Sequence, residues 1–228
     1  MSVAPIALPR AIGEARVVFK RRDEATVLQD LYQQGCCKVR FPRIDPGEPL
    51  QAVLLNTAGG LTDGDHVRQT VTWRENTHAI VTTQAAERIY RSRGEMAVVH
   101  NALEVRAGAR AIWLPQETIL FEGSRLERHW RADLAPDAML FAAETWTLGR
   151  AAMGETVGAP RSRRCGQHGA WSGRYVGRSH TNRRFGAGQG FGKKRGTSSY
   201  DFASVIRSPT VGCGRYASTN GMPGTPSV

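Results

Sequence analysis

A glycine-rich stretch with two carboxylates is the segment of this sequence best suited to chemistry. It spans residues 56–65 and follows a short apolar run at 52–55. Its glycines are Gly59, Gly60 and Gly64, and its carboxylates are Asp63 and Asp65. Because glycine adopts backbone angles closed to residues with a Cβ, the pattern predicts a buried strand that turns sharply. A turn in which both Asp side chains bond their own backbone, a phosphate loop and a metal loop are the open interpretations.

The phosphate and metal interpretations lack the partners that they need. A Walker-type loop has Lys and then Ser or Thr after its last glycine, and these are absent. A calcium loop of the EF-hand type needs more oxygen ligands and a closing Glu, which are also absent. The histidines form no His-x-x-x-His or His-x-Glu pattern, so no preformed catalytic metal site is predicted.

Three further carboxylates, Glu87, Glu117 and Glu144, each precede a short apolar segment in successive copies of a repeat. If the copies stack in register, these side chains line one common surface or channel. Solvated strand ends often carry Glu, and a structural role is therefore the alternative. An enzyme site built on Asp63, Asp65 and Glu117 is a further hypothesis, but no paired base or nucleophile accompanies it.

The repeat consists of a strand, a turn and a second strand. Its copies span residues 71–84, 103–116 and 130–143, and Ala79, Ala111 and Ala138 mark their second strands. These alanines are 32 and 27 residues apart. Self-similarity at this period is typical of supersecondary units that stack and bury their apolar faces on one another. The sequence therefore predicts a mainly β fold, a solenoid-like, β-helix-like stack.

The rest of the body adds strands and one or two short helices. Strands are predicted at 15–20, 38–41 and 52–55. Residues 26–32 fit either a strand or a short helix. Residues 84–90 are predicted to be helical, with Glu87 and Arg91 at the spacing of an i,i+4 ion pair.

Charge and cysteine usage restrict the class of protein. The net charge of +11 lies entirely in the C-terminal part, because residues 1–160 hold 19 basic and 19 acidic residues, whereas 161–228 hold 12 basic residues and one acidic residue. The four cysteines form no Cys-x-x-Cys, and the adjacent Cys36 and Cys37 are interpreted as small packing residues. The apolar patch at 3–8 is too short for a membrane span. We therefore expect a soluble, cytoplasmic protein.

Five segments, in this order, resemble the UreD (UreH) family of urease accessory proteins. They lie at 26–42, 56–65, 82–92, 113–123 and 148–155. The resemblance covers about residues 13–155, two thirds of the chain. It implies a β-rich protein without catalytic activity that serves as a nickel-insertion chaperone in urease maturation. Its implied partners are apo-urease and the accessory proteins UreF and the GTPase UreG, with neither a membrane nor nucleic acid among them.

The resemblance also implies a passage for nickel through the interior, with no resident cofactor. A conduit must hold a divalent cation weakly, which favours scattered carboxylates and hydroxyls over a closed cage of His and Cys. The candidate metal-contacting residues are Asp65, Glu117 and Glu144, and the candidate passage or loop residues are Gly59, Gly60, Thr82 and Thr83. Asp63 departs from the glycine often found there in the family.

The predicted domain boundary separates residues 1–157, the UreD-like body, from 158–228. Residues 161–228 contain no Leu and hold 13 of the 25 glycines, so we expect a disordered basic tail. A tail of this kind binds RNA through phosphate contacts and aromatic stacking, which is the alternative function. The favoured explanation is a shift of reading frame near residue 157, which would leave an impaired, truncated family member with an unpaired sheet edge.

Overall fold

The computed structural model describes residues 9–149 and the backbone of four further strands at 161–167, 170–178, 192–193 and 199–207. These residues form strands joined by turns and loops. The prediction of a mainly β, solenoid-like fold is confirmed. In this part of the chain, no helix has the length and hydropathy needed to cross a membrane.

Most strands belong to two sheets that share one hydrophobic core. The first sheet contains β1 (Ile12–Arg22), β2 (Ala25–Gly35), β5 (His66–Trp73), β8 (Ala97–Val105) and β11 (Arg125–Leu134). The second contains β3 (Cys37–Arg40), β4 (Leu50–Asn56), β6 (His78–Thr83), β9 (Arg110–Leu114) and β12 (Met139–Leu148). The short strands β7 (Glu87–Ile89) and β10 (Thr118–Leu120) pair with each other, and β10 also pairs with β12.

Four C-terminal strands continue the two sheets. The first sheet gains β13 (Arg161–Gln167) and β14 (Ala170–Arg178), and the second gains β15 (Gly192–Lys193) and β16 (Ser199–Arg207). β14 lies antiparallel to β11, and β16 lies antiparallel to β12. The other residues predicted to form a disordered tail, together with the predicted RNA-binding side chains, lie outside the described residues.

The chain coils repeatedly from the first sheet to the second. Strands β5, β8 and β11 stack in parallel, and so do β6, β9 and β12. Val71 pairs with Leu103, and Leu103 pairs with Ala132, so equivalent positions are 32 and then 29 residues apart. Each coil therefore buries its inner side chains against the equivalent residues of the next coil.

The predicted register of the third copy is wrong by two residues. Ala79 pairs with Ala111 as expected, but Ala111 pairs with Leu140. Ala138 instead lies in the turn that precedes β12, where it corresponds to Ala109. Side chains of a strand alternate between its faces with a period of two, so a shift of two residues preserves the apolar pattern. Hydrophobic alternation alone could not reveal the error.

The turn between the sheets has the same geometry in all three coils. Thr77, Ala109 and Ala138 each donate a backbone hydrogen bond to the carbonyl three residues earlier, at 3.3, 3.1 and 3.2 Å. The residue before each of them has a positive φ: 56° at Asn76, 66° at Gly108 and 59° at Asp137. Gly, Asn and Asp are the residues that tolerate this left-handed region best. The three turns therefore fix the register that hydrophobicity leaves open.

Alternating side chains fill the space between the sheets. Buried and half-buried residues alternate along the whole of β8 and of β12. Trp73, Trp113 and Trp146 are the largest of the fully buried side chains, and Trp73 Nε1 donates to the Ala79 carbonyl at 3.0 Å. Cys37 belongs to this core and Cys36 packs against it, as predicted. Burial of these inner faces is the main favourable contribution to folding.

The predicted helix at 84–90 is wrong. Residues 87–89 form β7 instead, and Glu87 pairs in register with Thr118 of the next coil. The predicted ion pair between Glu87 and Arg91 is also replaced, because the Arg91 guanidinium lies 3.6 Å from the Glu122 carboxylate instead. The segment is short, so helix formation gains few internal hydrogen bonds, whereas the strand gains a partner in the neighbouring coil.

Replacing Asp137 tests the turn geometry. Asp137 is exposed and has a φ of 59°, so Asp137→Val should lower the free energy of unfolding by about 1–2 kcal/mol, the cost of the left-handed region for a residue with a branched Cβ. Asp137→Gly is the matched control and should be neutral or stabilising, because glycine adopts this φ freely. Urea denaturation of the full chain measures both. Equal loss in the two variants would contradict the explanation.

Candidate functional site

A polar cavity lies between the two sheets. It is narrow: the centre of a water molecule can occupy about 20 Å³, within about 350 Å³ of atom-free space that includes open solvent at the mouth. Its walls come from both sheets and from β7 and β10. Its polar side chains include Thr83, Glu87, Asn101, Thr118, Arg128 and Glu144. Buried polar groups are costly unless they are paired, so their clustering inside the stack marks this cavity as the candidate functional site.

A buried ion pair crosses the cavity between the two strands of the last coil. Arg128 of β11 and Glu144 of β12 are each only 5% exposed, and Arg128 Nη1 lies 3.6 Å from Glu144 Oε2. The other carboxylate oxygen accepts a hydrogen bond from Trp113 Nε1 at 3.3 Å. Arg128 also donates to Thr118 Oγ1 at 3.0 Å, and its guanidinium lies 5.1 Å from the ring centre of Trp146.

The pair is incompletely satisfied by the described residues. Arg128 Nε and Glu144 Oε2 are buried and make no hydrogen bond to this part of the chain, and the same holds for Asn101 Oδ1. All three side chains line the same cavity. Oxygen and nitrogen atoms with unused hydrogen-bonding capacity are therefore concentrated there, as a site for a polar guest requires.

Glu87 brings a second carboxylate to the cavity. Its side chain accepts hydrogen bonds from Asn56 Nδ2 at 3.1 and 3.3 Å. Burial raises the pKa of Glu87, and the hydrogen bond from Asn56 and the positive charge of Arg128 oppose this rise only in part. Ionisation of Glu87 in the folded protein is therefore less favourable than in water.

The structure divides the three repeat carboxylates between two sides of the strands. Glu87 pairs with Thr118, and Thr118 pairs with Trp146, so these three positions stack on the inner side. Glu144 lies two residues before Trp146 and points inward as well. Glu117 is one residue before Thr118 and lies outside the cavity lining. The cavity therefore has two of the three carboxylates.

The two predicted threonines are also separated by strand alternation. Thr83 lines the cavity; its hydroxyl accepts a hydrogen bond from the Gln116 amide at 2.9 Å and donates to the Ala85 carbonyl at 3.1 Å. Thr82 follows the buried Val81 and is absent from the lining. Thr83 thus joins β6 to the next coil while presenting an oxygen to the cavity.

Asp65 ties the loop to the start of the chain. It is buried, and its two carboxylate oxygens accept hydrogen bonds from the backbone amides of Ala11, at 2.8 Å, and Thr62, at 2.7 Å. The bond to Thr62 is the local backbone bond expected of a turn. With these bonds to amides, Asp65 lies outside the cavity lining and holds the glycine loop against β1.

Asp63 contributes a second tie to a neighbouring loop. Its carboxylate accepts hydrogen bonds from the amide of Arg93 at 2.7 and 2.9 Å and from that of Gly94 at 3.4 Å. Burial alone would raise the pKa of Asp63, but hydrogen bonds from Ser92 and from these amides outweigh it and lower the pKa. The sequence suggested that Asp63 bonds the backbone of its own turn, whereas in the structure it bonds and fixes the loop at 92–94.

The glycine loop packs closely against β7. Gly59 and Gly60 have φ values of 76° and 143°, and a Cβ at Gly60 would lie 2.7 Å from the carbonyl oxygen of Arg88. Leu61 donates to that carbonyl at 2.7 Å and accepts from the Tyr90 amide at 2.8 Å. The loop therefore places β7, and with it Glu87, at the cavity.

Sequence reasoning missed Arg128 altogether as a site residue. It named Glu87 among the repeat carboxylates that could line a channel but not among the candidate metal-contacting residues. The alternation of inward and outward residues along β11 could have identified Arg128. Arg128 stands between Leu126 and Ala132 at inward positions of β11, and all three are buried. A charged residue at an inward position predicts a buried partner. Among the described residues, no group of three or more His, Cys, Asp or Glu side chains is placed to hold a metal ion.

Removing one member of the buried pair tests its contribution to stability. Arg128→Met leaves Glu144 buried without its positive partner, so the free energy of unfolding should fall by about 3–5 kcal/mol. The double variant Arg128→Met, Glu144→Leu should recover most of this loss, because no unpaired charge remains. Urea denaturation of the full chain measures both. The pairing would be refuted if the double variant lost as much stability as the single variants Arg128→Met and Glu144→Leu lose together.

The raised pKa of Glu87 predicts a pH-dependent effect of Glu87→Gln. In the folded protein the carboxyl keeps its proton to a higher pH than in the unfolded chain, where its pKa is about 4.3. The wild-type protein therefore loses stability as the pH rises through the folded-state pKa. Gln mimics the protonated form, so the variant should be the more stable one at neutral pH and match the wild type below about pH 4. Denaturation midpoints across this range measure the effect, and a variant less stable at neutral pH would contradict it.

A protein-family model matches more than half of this chain. The model of the family described as "UreD urease accessory protein" matches residues 11–167. The urease accessory protein UreD of Chelativorans sp. (strain BNC1) is 52% identical over 154 residues, covering 68% of this chain and 55% of the relative. The UreD of Sinorhizobium medicae is 44% identical over 156 residues, covering 68% of this chain and 56% of the relative.

The UreD of Azorhizobium caulinodans is 44% identical over 148 residues, covering 65% of this chain and 54% of the relative. The chain thus spans about half the length of the curated relatives it matches. The predicted resemblance is confirmed, and the family match extends twelve residues beyond Glu155, the end that the motifs suggested. The cavity residues, including Arg128 and Glu144, all lie within the matched range.

Proposed function

Because the chain belongs to the UreD family of urease accessory proteins, we propose that it acts as a chaperone in the maturation of urease. In this role it binds apo-urease and works with the accessory proteins UreF and UreG in the cytoplasm while nickel is incorporated into the metallocentre. The observation that carries the proposal is the family match over residues 11–167, together with relatives that are named urease accessory proteins.

The proposal treats nickel as cargo and assigns no catalytic step to the chain. A conduit needs oxygen ligands that bind a divalent cation briefly and exchange it readily. The cavity offers carboxylate oxygens from Glu87 and Glu144 and hydroxyl oxygens from Thr83 and Thr118. These groups support a route for a cation through the space between the sheets.

Arg128 limits how strongly the cavity attracts a cation. Its guanidinium lies 3.6 Å from one oxygen of Glu144, so part of the negative potential of that carboxylate is neutralised. Of the two cavity carboxylates, Glu144 forms an ion pair with Arg128, whereas Glu87 forms none with the described residues. Burial already disfavours the ionised form of Glu87. A weakly attractive cavity suits transfer better than storage.

The predicted roles of the other candidates stay predictions. Asp65 has both oxygens occupied by backbone amides and holds the loop that contains Gly59 and Gly60, so its contribution to a passage is indirect. Glu117 and Thr82 lie outside the cavity lining. The passage that we propose therefore depends on Thr83, Glu87 and Glu144.

Urease activation in cells tests the proposal. The full chain is expressed with its cognate urease and the other accessory proteins, and urease activity and urease-bound nickel are measured. Glu87→Gln should lower both several-fold, because it removes a carboxylate from the cavity while keeping its shape. Glu117→Gln is the matched control, a carboxylate outside the lining of the same stack, and should leave both unchanged.

A pull-down with apo-urease and the accessory proteins separates recognition from passage. The wild-type chain and both variants should be retained equally. Failure of the wild-type chain to bind would refute the proposed chaperone role. Equal activation by Glu87→Gln and the wild type, with binding intact, would refute the passage through this cavity and leave the chaperone role standing.

A further inference from the structure

Two adjacent thiols meet at the end of the stack where β2 turns into β3. Cys36 and Cys37 follow Gly35, and both of their sulfurs lie 2.6 Å from the position that a Cβ of Gly13 would occupy. The two Sγ atoms therefore converge on the same point over the backbone of β1. Any side chain at residue 13 would displace them, so glycine there is what permits the contact.

The two thiols differ in access to solvent. Cys36 is half-buried, whereas Cys37 is 1% exposed and belongs to the core. Part of Cys36 therefore meets solvent, whereas Cys37 is shielded. This arrangement places the sulfur of a half-buried cysteine next to that of a fully buried one.

The contact also makes the two thiols chemically unequal. A hydrogen bond from the Cys37 thiol lowers the pKa of Cys36, although burial and the charges of Glu87 and Asp65 act in the opposite direction. The same hydrogen bond, together with burial, raises the pKa of Cys37. Cys36 is thus the sulfur that ionises first, and the thiolate is the nucleophilic form of cysteine.

We propose that Cys36 and Cys37 form a redox-active dithiol that reacts with small disulfides of the glutathione type and closes to a vicinal disulfide. Neither the urease accessory role nor the polar cavity is needed for this reaction. The proposed substrate class rests on the half-buried position of Cys36, where a small disulfide would react, and on the adjacent thiol, which can complete the exchange.

The reaction proceeds in two balanced steps. The Cys36 thiolate attacks one sulfur of the small disulfide, forms a mixed disulfide and releases the first thiolate. The Cys37 thiol then attacks Cys36 Sγ, the bond to the small thiol breaks, and the proton of Cys37 passes to the second departing thiolate. The two protein sulfurs lose two electrons, and the small disulfide gains them to become two thiols.

Closure would strain the surroundings of the glycine loop. The Cys36 amide donates to the Ile12 carbonyl at 3.1 Å, and the Cys36 carbonyl accepts from the amide and hydroxyl of Thr57 at 2.9 and 3.1 Å. Cys37 pairs with Asn56, which in turn holds Glu87. The eight-membered ring of a vicinal disulfide requires this peptide unit to rotate, so oxidation should weaken the bonds that anchor residues 56–60.

Mass spectrometry of the full chain tests the proposal. The parent protein carries Cys165→Ser and Cys213→Ser, so that only the adjacent thiols can react. Incubation with glutathione disulfide should produce first a glutathione adduct on Cys36 and then a protein lighter by two hydrogens that no longer reacts with an alkylating reagent. A thiol reductant should restore both thiols.

Single variants identify the two roles. Cys37→Ala should stop at the glutathione adduct, and Cys36→Ala should form neither the adduct nor the disulfide. Hydrogen exchange at residues 56–60 should be faster in the oxidised parent than in the reduced parent. The time course of the parent keeps the test valid if the core substitution Cys37→Ala prevents folding.

Three outcomes would overturn the proposal. They are no reaction of the parent with excess glutathione disulfide, a permanent adduct in the parent that never closes, and a first adduct on Cys37 instead of Cys36. Unchanged exchange at residues 56–60 after closure would overturn the link between the dithiol and the glycine loop.

Discussion

The parallel, in-register pairing of successive coils is the constraint on which the rest of this structure depends. It joins Val71 to Leu103 and Leu103 to Ala132 in one sheet, and Ala79 to Ala111 and Ala111 to Leu140 in the other. Because register fixes which side chains face inward, it also decides which polar groups share the interior. The cavity is a product of this pairing more than of any single loop.

The interior departs from an apolar core at one level of the stack. Arg128, Glu144 and Glu87 occupy inward positions where neighbouring positions on their strands hold Leu, Ala, Trp or Ile. Taking such groups out of water is expensive, and a well-packed apolar replacement of a buried ion pair is often no less stable. Stability alone does not account for these residues at this level of the stack, and the proposed passage of a cation would use them.

The sequence was sufficient to predict the fold class and part of the cavity. Repetition gave the solenoid, and the inward carboxylate Glu144 and the hydroxyl of Thr83 were among the predicted residues. The helix at 84–90 was wrong because a three-residue strand has too little pattern to outweigh local helical spacing. The register of the third coil was wrong because apolar alternation has a period of two, and only the positive-φ residues Asn76, Gly108 and Asp137 distinguish the alternatives.

Strand alternation marks Arg128 as an inward residue, but its partner Glu144 follows only from the packing of the two sheets against each other. The bond from Asp65 to Thr62 was expected of a turn, whereas its bond to Ala11 and the side on which Glu117 lies depend on how the chain packs. A carboxylate beside a strand can bond to backbone amides, as Asp65 does, or point away from the interior by the displacement of one residue, as Glu117 does. Composition does not distinguish these outcomes, since both need only the same residue type near the same strand.

The direction of the outermost strands has a consequence for how this architecture can change in evolution. In both sheets the parallel stack is flanked at each side by antiparallel strands: β2 and β14 in the first sheet, and β3 and β16 in the second. A duplicated coil added beyond these strands would lie next to a strand of opposite direction and could not continue the parallel ladder. A coil duplicated within the stack has parallel neighbours on both sides. The stack can therefore lengthen by gene duplication only if the new coil is inserted between existing coils.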